Sequence, residues 1–77
     1  MQTRTLDKAV RMFKADPSLA NRSEVVRQMV SYEMGRTEAT RLAAMSTTRI
    51  EIENALTADQ NADISDLNAR YLELMSA

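Results

Sequence analysis

Nine of the ten basic side chains in this 77-residue sequence lie within residues 1–49: Arg4, Lys8, Arg11, Lys14, Arg22, Arg27, Arg36, Arg41 and Arg49. Five acids accompany them there, and the balance then reverses. Residues 50–77 set Glu51, Glu53, Asp59, Asp63, Asp66 and Glu73 against Arg70 alone. A net charge of −1 and a pI of about 5.3 therefore conceal a basic front and an acidic back. Guanidinium and ammonium groups in that concentration offer the chemistry of phosphate binding, and the asymmetry is the one expected when one part of a chain meets a polyanion and the other does not. Arg22, Arg27, Arg36 and Arg41, with the hydroxyl of Thr37, are the candidate phosphate contacts.

Other chemistries are excluded by what the sequence lacks. Histidine and cysteine are both absent, which removes the commonest general base, thiolate nucleophiles, disulfides and the usual zinc ligands. Asp59, Asp63 and Asp66 have neither calcium-loop spacing nor a turn glycine, and read as a solvated acidic surface. Two tyrosines and one phenylalanine are too few to stack single-stranded bases. The six methionines read as core filler rather than as an adaptable partner groove. The expectation is a protein that is not an enzyme and needs no cofactor, metal or small-molecule substrate. No apolar run approaches a membrane span or a signal peptide, so a cytoplasmic location is expected.

The elements that must position these charges are helical. Leu6, Ala9, Val10 and Phe13 put one apolar stripe on a first helix, which Asp16-Pro17 should end near residues 16–20. Asn21 with Glu24 has the form of a capping box ahead of Val25, Val26, Met29 and Val30, and the lone glycine, Gly35, suits the left-handed residue that closes that helix. Three readings stay open over residues 37–56. Ser46, Thr47 and Thr48 can cap a new helix with Glu51, giving two helices; Leu42, Met45, Ile52 and Leu56 fit one long helix; Arg49 to Glu53 alternate as a strand would. Finally Ile64, Leu67, Tyr71 and Leu74 form a narrow stripe on a last helix, 64–75, suited to docking on its neighbours or to pairing with a second copy. The whole is an all-α bundle of four to five short helices in a single domain, 1–77. So small a core makes a homodimer the default expectation.

Residues 36–56 also resemble the helix-turn-helix of small bacterial, phage and plasmid regulators. The resemblance lies in Ala39 and Ala43 as small inward residues, Ala44-Met45-Ser46 at the turn and Ile50 as an inward anchor. It implies that a second helix enters the major groove of double-stranded DNA, with Thr47, Thr48 and Arg49 reading bases and Glu51 and Ile52 one turn on. The implied function is sequence-specific DNA binding and regulation by occupancy of a site. Asn21 to Met29 also looks like the start of the second helix in ribbon-helix-helix repressors, which would make Gln2 and Arg4 part of a groove-reading strand. The reading from another class is a helical protein-binding module, of the kind a phage inhibitor or adaptor uses to dock on a host protein.

Overall fold

The computed structural model describes residues 2–76, with side chains from Thr5 onward. Four helices succeed one another: α1 Gln2–Ala15, α2 Leu19–Glu33, α3 Ala39–Ala58 and α4 Ser65–Ser76. No strand occurs among the described residues, so the strand reading of residues 49–53 and the groove-reading strand over Gln2 and Arg4 are both overturned: each segment is helix.

The first helix buries the expected stripe. Leu6, Ala9, Val10 and Phe13 all lie in the core, while Lys8, Arg11 and Lys14 face outward. Its end is capped by a side chain of α2. The Asn21 amide donates to the carbonyls of Asp16 at 2.7 Å and Met12 at 3.3 Å, groups that a helix terminus leaves without intrahelical partners. Asn21 was expected to start α2, but Ser18 does so: its hydroxyl accepts from the Asn21 backbone N–H at 3.2 Å. At the far end Gly35 has φ +82°, the left-handed geometry expected of it.

Residues 39–58 form one uninterrupted helix. The expected turn at Ala44-Met45-Ser46 is not a turn, and Thr48 with Glu51 caps nothing. The hydroxyls that favour a cap here bond back one turn instead, Thr47 to the Ala43 carbonyl at 2.8 Å and Thr48 to that of Ala44 at 3.0 Å. That arrangement satisfies them inside a helix. The core face of α3 is then Met45, Thr48 and Ile52, with Leu42 and Leu56 packed against it.

Successive helices run antiparallel. The α1/α2 turn and the α3/α4 loop share one end of the bundle, where Arg22 joins them, and the Gly35 loop lies at the other. Ile64 and Tyr71 of α4 are fully buried in the same core, with Leu67, Leu72, Leu74 and Met75 packed around it. The stripe assigned to a dimer contact is thus spent on docking α4 within its own chain.

One polar residue sits in the middle of that α4 face. Asn68 is buried, and neither its amide nitrogen nor its carbonyl oxygen has a hydrogen-bond partner among the described residues. A buried amide without partners carries its full desolvation penalty, about 1 to 3 kcal/mol. Asn68→Leu, close to isosteric and apolar, is therefore expected to raise the stability of the fold by that order, read as a higher urea midpoint. A lower midpoint would mean that Asn68 is satisfied after all.

Candidate nucleic-acid interface

The arginines expected to touch DNA are for the most part already occupied. Arg22 is 5% exposed. Its Nε donates to the Ala62 carbonyl at 3.0 Å, Nη2 to Asn61 at 3.2 Å and Nη1 to Pro17, and its guanidinium carbon lies 5.3 Å from the centre of the Phe13 ring. A side chain so enclosed joins two loops and cannot reach a phosphate. Arg36 stacks on Tyr32, 4.2 Å from the ring centre, and donates to the Tyr32 carbonyl at 3.1 Å. Arg27 pairs with Glu24 and Arg41 with Glu38, each three residues apart on the surface. Such exposed pairs hold weakly, but each would bring its own carboxylate up to any phosphate. Thr37 is exposed in the loop before α3.

The base-reading set fares differently again. Thr48 and Ile52 are buried in the core, which removes them from any groove. Arg49 is drawn inward: Nε donates to Glu33 at 2.9 Å and Nη1 to Glu53 at 2.5 Å. The Glu33 hydrogen bond, with the two nearby carboxylates, holds the guanidinium more firmly protonated against the opposing effect of its burial. Glu33 also accepts from Ser46 at 2.7 Å and from the Tyr71 hydroxyl at 2.8 Å, a hydroxyl that lies 3.1 Å from the Met29 carbonyl as well. Burial raises the Tyr71 pKa well above its ordinary value, and the neighbouring Glu33 raises it further, so the phenol stays a neutral donor. Glu33 is therefore the hub of a polar cluster that binds α2, α3 and α4 together, and Arg49 is one of its three donors. Of the five expected readers only Thr47 and Glu51 are exposed, and Glu51 faces Arg70 across α3 and α4 at 3.3 Å.

What remains is α1. Among the described residues no ion pair involves Lys8, Arg11 or Lys14, all of which are exposed. They fall within one third of the helix circumference, opposite Leu6, Ala9, Val10 and Phe13. Asp7, half-buried, borders the row, and Asp16 follows it after the helix end. Lys8 to Lys14 cover about 9 Å of helix axis, a length that passes about two to three phosphates along one strand of a duplex. The signal for this face was present in the sequence as basic residues phased against an apolar stripe.

The described methionines do not converge on one surface. Met29 and Met45 are core, and the two most exposed, Met12 and Met34, lie near opposite ends of the bundle. Among the described residues no helix is long and apolar enough to cross a membrane, and no cluster of three or more acids, histidines or cysteines has the arrangement of a metal site. No family model matches the chain, and comparison with curated proteins and with solved structures finds no significant match.

Proposed function

We propose that this protein binds double-stranded DNA through the phosphate backbone, with Lys8, Arg11 and Lys14 of α1 as the contacts, and acts by occupying the DNA it covers. The observation that supports this reading is the partition of its cations: Arg22, Arg27, Arg36, Arg41, Arg49 and Arg70 each face a carbonyl, a ring or a carboxylate, whereas Lys8, Arg11 and Lys14 have no such partner among the described residues. Cations free of carboxylates are the ones that can replace the counterions of a duplex at no electrostatic loss to the fold. Because Thr48, Arg49 and Ile52 serve the interior, they take no part, and affinity comes from backbone contacts rather than from bases read by α3.

Electrophoretic retardation of a duplex at several salt concentrations tests this directly. The Lys8→Glu, Arg11→Glu, Lys14→Glu triple variant is expected to lose at least about tenfold in affinity at low salt, and Arg11→Ala alone to flatten the salt dependence by about 0.9 in log–log slope. The outward position of α1's basic row predicts an unchanged helical circular dichroism spectrum for both variants. If the unmodified chain fails to retard duplex DNA even at low salt, or the triple variant binds as well as the parent, the DNA reading fails and a protein-binding module takes its place.

A further inference from the structure

Asn68 places an unpartnered amide under α4, so part of the stability gained by docking this helix is lost to the desolvation of that side chain. The segment from Ile64 to Ser76 sets against that loss two buried apolar side chains, Ile64 and Tyr71, with Leu67, Leu72, Leu74 and Met75 partly buried beside them. The helix at the other edge of the fold, α1, buries Leu6, Ala9, Val10 and Phe13. Along the chain α1 packs on α2, α2 on α3 and α3 on α4, so α4 has one close neighbouring helix. Its polar hold on α2 is the Tyr71 hydroxyl, 2.8 Å from Glu33 and 3.1 Å from the Met29 carbonyl. The Arg70–Glu51 pair that joins it to α3 is exposed and holds weakly.

The loop before α4 is fastened on its own account. Arg22 donates to the carbonyls of Asn61 and Ala62, and Asp59 accepts from the backbone N–H groups of the same two residues, through its carboxylate at 2.9 Å and its carbonyl at 3.0 Å. The next residue belongs to the helix: the Asp63 carboxylate accepts from the Ser65 backbone N–H at 3.0 Å, in the first turn of α4. The clamped part of the chain therefore ends at Ala62, and the part that moves with α4 begins at Asp63.

We propose that α4 is a hinged lid: the segment 63–76 opens as one unit about the Ala62–Asp63 link, while α1, α2, α3 and the loop clamped by Arg22 stay folded. Opening returns the Asn68 amide to water and uncovers the apolar core beneath Ile64 and Tyr71. The first effect favours the open state and the second limits it, so the lid is open in a minor population of molecules, whose size Asn68 sets. Arg22 fixes where the chain bends, and Tyr71 with Glu33 forms the catch that must release. The device stands independently of DNA binding, since none of these groups belongs to the basic row of α1.

Native-state hydrogen exchange of the full chain, followed residue by residue by nuclear magnetic resonance at several urea concentrations below the unfolding transition, tests it. An undocked helix of 12 residues is marginal in water, so the amides of α4 exchange whenever the lid opens. Those of Asn68 to Leu74 are expected to share one opening, at least about tenfold more frequent than that of Val10 and Val25, with a shallower dependence on urea because only part of the core is exposed. Asn68→Leu is expected to slow exchange in α4 at least about fivefold. Amides of α4 that open with the same frequency and urea dependence as Val10 and Val25 overturn the inference, because the helix then leaves only when the whole molecule unfolds. Exchange that rises steadily toward Ser76 without a shared opening also overturns it, being the fraying of a helix end, and so does an Asn68→Leu variant whose α4 amides exchange as fast as the parent's.

Discussion

Arg22→Ala is expected to remove about 3 to 5 kcal/mol of stability, close to the whole unfolding free energy of a domain this size. The cost has two sources. Hydrogen bonds from a charged donor contribute about 1.5 to 3 kcal/mol each when net favourable, and three carbonyls, those of Pro17, Asn61 and Ala62, lose the same guanidinium at once. The alkyl stem and the Phe13 ring also lose their packing against each other. Arg22→Lys should recover only part of the loss, because an ammonium has no planar fork with which to address carbonyls from two separate loops. Urea titration followed by circular dichroism gives the answer, and an Arg22→Ala midpoint within experimental error of the parent would remove the role assigned here.

Glu33→Ala is expected to cost a similar amount, about 3 to 5 kcal/mol, for a different reason. It deletes the acceptor shared by Arg49, Ser46 and the Tyr71 hydroxyl, leaving a mostly enclosed guanidinium with Glu53 as its only carboxylate. The informative measurement is the double variant. Glu33→Ala with Arg49→Met removes both charges and refills the volume, so it should be less destabilised than the sum of the two single variants by about 1 to 3 kcal/mol. Strict additivity would show that the two side chains do not act as a pair.

These two arginines also mark where the sequence stopped being legible. The stripes of α1 and α4 and the left-handed Gly35 could be read directly, since each depends on residues within a few positions of one another. The continuity of α3 could not. Hydroxyls at Thr47 and Thr48 serve equally as a cap or as donors to the preceding turn, and the choice accompanies contacts from Glu33, 13 residues before Ser46 and 16 before Arg49. The same separation of scale applies to the site. Arg27 with Glu24 and Arg41 with Glu38 stand three residues apart, so their pairing was visible in the spacing. That Arg22 spans to carbonyls 39 and 40 residues away was not. A count of basic residues therefore overstates how much of the positive charge is available at the surface.

The division between the two kinds of cation has a practical corollary. Lys8 and Lys14 are the only lysines in the sequence, both sit on the outer face of α1, and the ion pairs of the interior and surface are made by arginine. Acylation of side-chain amines would neutralise both lysines on that face while leaving every guanidinium contact untouched, because guanidinium groups do not react as amines do. Two of the three cations on that face can thus be neutralised by reagent or by enzyme while Arg11 and the arginine contacts within the fold stay as they are.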